Sequence, residues 1–384
     1  MDHVSGVPLH ERWDSMTTLQ RALCVRTLSL LVKEMAELKF PTYGSIYFSD
    51  APIPSSSKID LGNGFCLGPH CGYPAWPCHP RNLTALLNRL STTGPHRDLE
   101  SYCAYLIDVG LAKLPSQNAT PSKPAFWGSI QDHRQLLEVT SKVMKNLIQL
   151  PQIQGVAAPM LLHPDFHKRN IFVDEKDPSK VTALIDWQST CINPTFMFSS
   201  EEPDFAALPQ QLYSVIKDNL PNSDETGSVE KDAEVCRRTF ELTMQGHAPV
   251  FHQARATSRE LVRIFKYCSS SWNNSVVPLR QELIDFSSRW TSLGLSGECP
   301  YQPTADLLEQ HSHDYEEWKV AQQVKDLVVQ ATNSNSDGWV HKDIWDAAQD
   351  VNQTVYREWL RSQDGEDGLS PIEAKLTYPF DVNE

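Results

Sequence analysis

The chain has 384 residues, 40% of them hydrophobic, enough to bury a large core as one large domain or two smaller ones. A net charge of −14 disfavours binding to a phosphate backbone across the whole surface, so nucleic acid is not an expected partner. No run of about 18 apolar residues occurs, which excludes a transmembrane helix and makes a membrane an unexpected partner. The N-terminus MDHVSGVPLH is neither a secretory signal nor an Arg-rich transit peptide, so the chain as it stands is expected in the cytoplasm. Nine cysteines, an odd number, then read as reduced thiols rather than a disulfide framework.

In chain order, residues 15–39 are predicted as a helix with Ser15 as N-cap and Leu28, Leu31, Met35 and Leu38 at helical spacing, stopped by Pro41. Residues 43–82, rich in Gly, Pro and Ser, read as a long structured loop with short strands around Ser45–Phe48. Helices are expected at 97–113 and 129–150, the second with Leu137, Thr140, Met144 and Leu147 on one stripe. Asn170–Val173, the turn EKDPSK and Val181–Ile185 predict a β-hairpin. Beyond Pro209 helices are predicted at 210–218, 229–246, 254–269, 277–293, 304–330 and 340–362, with an acidic peripheral tail at 363–384. The expected fold class is α+β: a single, mainly helical domain over 1–384 around one central hairpin.

The chemistry gathers at that hairpin, which HPDFHKRN precedes and IDW closes. A hydroxyl nucleophile needs a carboxylate to take its proton, which suits Asp165. A hard Mg²⁺ ion takes a few oxygen ligands and keeps waters and substrate phosphates, which suits Asn170 and Asp186. Asp, His and Asn also build satisfied polar turns at the head of a hairpin, but the full order of HxDxxxxN, hairpin and Ile-Asp-Trp is a far more specific pattern than HxD alone.

That pattern resembles the aminoglycoside phosphotransferase and choline kinase branch of the protein-kinase-like fold. It is similar in particular to fungal phosphotransferase-family proteins of the altered-inheritance-of-mitochondria nine type. The segments that carry this likeness are GVPLHERW at 6–13, LLHPDFHKRNIFVDE through ALIDWQST, and GECPYQPTADLLEQHSHDYEEW at 297–318. The resemblance implies a large C-terminal lobe with Asp165 as catalytic base, Asn170 and Asp186 as Mg²⁺ ligands, and His163 bracing the catalytic loop. It implies Mg²⁺ and ATP as cofactors and the hydroxyl of an unidentified small molecule as acceptor. His167 has no assigned role. Trp187 and Gln188 stand where protein kinases carry the Phe and Gly of DFG, a departure typical of the small-molecule branch.

Kinase-like transfer also uses a Gly-rich loop and a strand lysine over the ATP phosphates. In the family GVPLHERW follows the segment joining the two lobes, so the chain is expected to begin at the hinge, without the ATP-covering lobe. GNGFCLG at 62–68 lacks the GxGxxG spacing and reads as a turn-rich loop. These features leave two expectations: an ATP- and Mg-dependent phosphotransferase, inactive if that lobe is truly lacking, or a non-catalytic binding protein on the same fold. A missing leading segment would also admit a mitochondrial location.

Other signals are weaker. Cys66, His70, Cys71, Cys78 and His79 have no paired zinc spacing, and a loop with buried thiols is the expectation. Glu201, Glu202 and Asp204 form an acidic stretch that either lies solvated or attracts an amine-bearing substrate. Lys168 and Arg169 read by default as a solvated basic turn, with neutralisation of a transferring phosphate as the alternative, and Trp13, Trp76, Trp127 and Trp272 as core anchors.

Overall fold

The structure is a computed structural model that describes residues 4–72, 93–115, 123–199, 202–207, 224–332, 334, 338, 340, 342–363, 369–380 and 382. The helix expected at 210–218, and Trp76, Cys78, His79 and Glu201, lie outside the described residues. In chain order the first half holds β1 (Val7–Pro8), α1 (Leu9–Arg12), α2 (Thr18–Glu37), β2 (Ser45–Phe48), β3 (Ile59–Gly62), β4 (Phe65–Gly68), α3 (Leu99–Lys113), α4 (Ile130–Leu147) and α5 (Pro151–Gln154). There follow β5 (Pro159–Leu161), β6 (Ile171–Val173), β7 (Val181–Leu184), β8 (Ile192–Pro194), α6 (Asp224–His247), α7 (Pro249–Ala256), α8 (Arg259–Asn274), α9 (Val277–Arg289), α10 (Ala305–Thr332), α11 (Trp345–Ser362) and α12 (Pro371–Thr377). The class is α+β, mainly helical with small sheets, as expected.

Local chemistry explains where the boundaries depart from the predicted ones. The long first helix is capped by Thr17 rather than Ser15: the Thr17 side chain accepts the Gln20 N–H and the Gln20 side chain accepts the Thr17 N–H at 2.9 Å. Ser15 instead closes a 3₁₀ turn over Trp13–Ser15, its hydroxyl donating to the Arg12 carbonyl at 2.8 Å. The helix expected at 254–269 is two helices, because Thr257 turns extended at ψ 137 and ends α7 before α8 begins. GNGFCLG is no simple loop. Asn63 and Gly64, at φ 52 and 81, make the two-residue turn that joins β3 to β4, with Gly62 opposite Phe65. An Asn-Gly pair suits that turn because both central residues need positive φ.

The chain divides into two compact units, Met1–Val109 with Met144–Lys266, and Gly110–Val143 with Tyr267–Glu384. In the first, β1, β6 and β7 form an antiparallel sheet, β2, β4 and β3 a second, and β5 pairs with β8. Leu9, Leu28, Val32, Ile171, Val173 and Phe240 belong to its main core, which puts α2, α6 and the hairpin around one apolar centre. His70 is buried and structural: Nε2–H donates to Asn193 Oδ1 at 2.8 Å, and Nδ1 accepts the Gly72 N–H at 3.2 Å. Burial holds the imidazole well below its ordinary value, at about 4. Cys66 is buried too, but Cys71 is exposed, so the expected loop of buried thiols is found only in part; among the described residues no group of three or more His, Cys, Asp or Glu side chains is arranged to hold a metal ion.

In the second unit, buried Arg280 pairs with Asp314 at 3.1 Å, and Gln310 and His311, from the family-like segment at 297–318, donate to Asp314 and pair with Gln281 at 2.8 Å. These contacts join α9 to α10. Residues 363–384, expected as a peripheral tail, place Ala374 in the interior and pack Tyr378 against Val324 and Val328 of α10. Ser370 and Glu373 cap α12 reciprocally, which makes that short helix persist long enough to bury its apolar side.

The GVPL segment earns its glycine from the hairpin. Gly6 has φ +102, and a Cβ there would fall 2.3 Å from the Val173 carbonyl oxygen. Only a residue without a side chain lets β1 pair Val7 with Val173. Gly6→Ala is therefore expected to lower unfolding free energy by more than about 1 kcal/mol, read as a lower urea midpoint at unchanged slope.

Candidate active site

The loop from β5 to β6 is folded by its own backbone and by one buried ring. The His167 N–H donates to the Asp165 carbonyl and the Asn170 N–H to the His167 carbonyl, each at 2.9 Å, ending in a 3₁₀ turn at Lys168–Asn170. His163 is buried, with Nε2 2.8 Å from the Ile185 carbonyl and Nδ1 3.2 Å from the Asp165 backbone nitrogen. A carbonyl can only accept and an N–H only donate, so the ring is neutral with its proton on Nε2. Burial, opposed by the Ile185 carbonyl, holds its pKa below the ordinary value. The ring also meets Trp187 edge-on at 4.6 Å.

Asp165 and Asn170 touch directly: the Asn170 amide donates to the Asp165 carboxylate Oδ2 at 2.8 Å and to its carbonyl at 2.9 Å. Arg169 also donates to Oδ2, from Nη2 at 2.6 Å and Nε at 3.2 Å, so one carboxylate oxygen accepts three hydrogen bonds from two residues. The Ile185 N–H donates to the Asn170 carbonyl at 3.0 Å and carries the chain to Asp186 beside it. Asp186 is exposed, at φ 64, and bonds to no described residue. Aspartate is among the few side chains that visit this left-handed region readily. With its amide nitrogen committed to Asp165, Asn170 presents its amide oxygen and Asp186 its carboxylate, a hard oxygen pair that fits Mg²⁺.

Three contacts were not foreseen. Asp204 accepts the Lys168 N–H at 3.0 Å and lies 3.6 Å from His167 Nδ1, whose other ring nitrogen is 3.4 Å from Asp165 Oδ1. Asp204 thus braces the loop. Lys168, expected in solvent, sets its ammonium 4.9 Å over the Trp13 ring. Arg169 grips Asp165 instead of standing free. Only the motif spacing was visible in the chain; Trp13 and Asp204 lie far from it, and their arrival is a consequence of folding.

The Asp204 carboxylate, with partial burial opposing and Asp165 assisting, raises the His167 pKa above its ordinary value. Partial desolvation alone would raise Asp204, but His167 and Lys168 outweigh it and leave its pKa lowered. A raised histidine stabilises the fold below its unfolded pKa, and that contribution is lost as pH rises through the folded value. His167→Gln is therefore expected to cost more stability at pH 6 than at pH 8.5, measured by urea unfolding at both.

Residues 93–197, which contain this whole loop and hairpin, match the profile of the Phosphotransferase enzyme family. A subtelomeric hrmA-associated cluster protein of Aspergillus fumigatus is 22% identical over 94% of this chain and 78% of its own length. Altered inheritance of mitochondria protein 9, mitochondrial, of Lachancea thermotolerans is 22% identical over 83% of this chain and 55% of its own length. Its Saccharomyces cerevisiae namesake is 19% identical over 87% and 58%. This chain thus spans little more than half of those mitochondrial relatives. No solved structure matches it. Residues 93–197 are thus similar to the Phosphotransferase enzyme family, and the chain over most of its length to these fungal proteins.

Proposed function

We propose that this chain is the large, mainly helical lobe of a kinase-like phosphotransferase that uses Mg²⁺ and ATP on the hydroxyl of a small molecule. The observation that carries the reading is the Asp165 carboxylate, fixed by Asn170 at 2.8 Å on the loop whose other end is bonded by Ile185, the residue before Asp186. No described helix is long and apolar enough to cross a membrane. The proposed location is the cytoplasm, with the mitochondrion, which some relatives' names carry, as the alternative.

In the proposed reaction Asp165 orients the acceptor hydroxyl and takes its proton as the oxygen attacks. Oδ2 is held by Asn170 and Arg169, so Oδ1, facing His167 at 3.4 Å, is the oxygen that receives the proton. Asn170 and Asp186 would hold Mg²⁺ through oxygen. Bound Mg·ATP supplies the phosphoryl group and the neutralisation of charge that its transfer requires. His163 positions both carboxylates through the backbone groups of Asp165 and Ile185.

A second reading, a non-catalytic binding protein on the same fold, is favoured by one observation: Arg169 already pairs with the proposed base at 2.6 Å. The two readings separate with Mg·ATP. The phosphotransferase reading expects millimolar Mg·ATP to raise the melting temperature, Asp186→Ala to abolish the rise, and Asp165→Asn to lower turnover by ~10²–10⁴-fold with ATP binding retained. Absence of both a thermal shift and ADP release at millimolar ATP would exclude catalysis by this chain and leave the binding protein.

A further inference from the structure

Beside the loop lies a second cavity, of about 270 Å³, lined by Ser199, Glu202, Glu241, His252, Arg255 and Arg259. Glu202 also lines a smaller cavity of about 30 Å³ that reaches His163 and His167, so the two hollows adjoin at that residue. The larger one is polar and built. Arg255 donates to Glu241 at 3.0 Å, His252 stands 3.8 Å from the same carboxylate, and the Arg255 guanidinium lies over Phe240 at 5.4 Å. Glu241 is therefore neutralised from within.

Two opposite charges remain at the cavity. Glu202 forms no hydrogen bond or ion pair with a described residue; Arg237, whose charge it feels, is bound to Glu234 at 2.8 Å. Arg259, exposed at the first turn of α8, likewise bonds to no described residue. Ser199, which also lines the cavity, is 4% exposed, and its hydroxyl is buried without a partner. A buried hydroxyl left unbonded costs free energy that a bound polar ligand would recover. The volume has room for roughly nine water-sized groups, just below the pockets of drug-sized ligands.

We propose that this cavity is the acceptor subsite and takes a small zwitterionic alcohol, its ammonium toward Glu202 and its carboxylate toward Arg259. The assignment of an acceptor rests on the phosphotransferase reading; the charge pattern of the ligand does not. A purely cationic alcohol would leave Arg259 unanswered. The Ser199 hydroxyl completes the site by bonding to a polar atom of the ligand at the cavity floor.

The matched probes are L-carnitine, a zwitterionic alcohol, and choline, which resembles it without the carboxylate, with L-homoserine as a primary-amine zwitterion. Titration calorimetry without nucleotide is expected to show a zwitterion binding more tightly than choline. Arg259→Ala should weaken that zwitterion by ~10- to 100-fold and leave choline unchanged, while Glu202→Gln weakens both. Unaltered melting temperatures of the two variants would show that the fold is retained. Choline binding as tightly as the zwitterions, or Arg259→Ala having no effect, overturns the proposal. If neither zwitterion binds while Mg·ATP still raises the melting temperature, the proposed acceptor is wrong and the phosphotransferase reading stands. Zwitterion binding lost in Arg259→Ala, with no response to ATP, upholds the ligand site and removes the phosphotransferase reading instead.

Discussion

The site depends on one buried imidazole bonded at both ends. Nε2–H of His163 reaches the Ile185 carbonyl while Nδ1 receives the Asp165 N–H, so a single ring ties the backbone before Asp186 to the backbone of Asp165. Each bond requires the other's tautomer, and burial keeps the ring neutral as both demand. A charged ring would have no acceptor at Nδ1, and the loop would lose its register on the hairpin. The carboxylates are thereby placed by main chain, which is stiffer than side chain.

Everything around that ring serves to hold the two strands it joins. β6 and β7 are short, and a lone hairpin of that length is marginal in water. β1 adds a third strand, which Gly6 permits by its close approach to Val173, and Ile171 and Val173 then bury their side chains against α2 and α6. The loop's outer side is held electrostatically, by Asp204 on the Lys168 N–H and His167 and by Trp13 under the Lys168 ammonium. Rigid strands inside and charge pairs outside leave Asp186 as the exposed carboxylate beside Asn170.

How much was legible varies with range. The hairpin, the strand at Ser45–Phe48 and most of the helices follow from periodicity and breakers, which act over a few residues. The Asn-Gly turn at 63–64 is likewise a local signal, since both of its central residues take positive φ. The break at Thr257 had no glycine or proline to mark it. At the site, His163, Asp165 and Asn170 share one loop and could be grouped by spacing; that Trp13 and Asp204 reach that loop could not be read, since no local rule brings a distant side chain to a loop.

By itself the sequence determined the helical α+β class, the hairpin and the run of polar residues at its head, because these depend on side-chain pattern and turn chemistry within a short window. Tertiary structure alone decided that Asp204 braces the loop, that Arg169 grips Asp165, and that Ser199, Glu202 and Arg259 meet around one cavity. Those outcomes rest on packing of α2, α6, α7 and the hairpin about a shared core, and such packing is set by the whole chain at once.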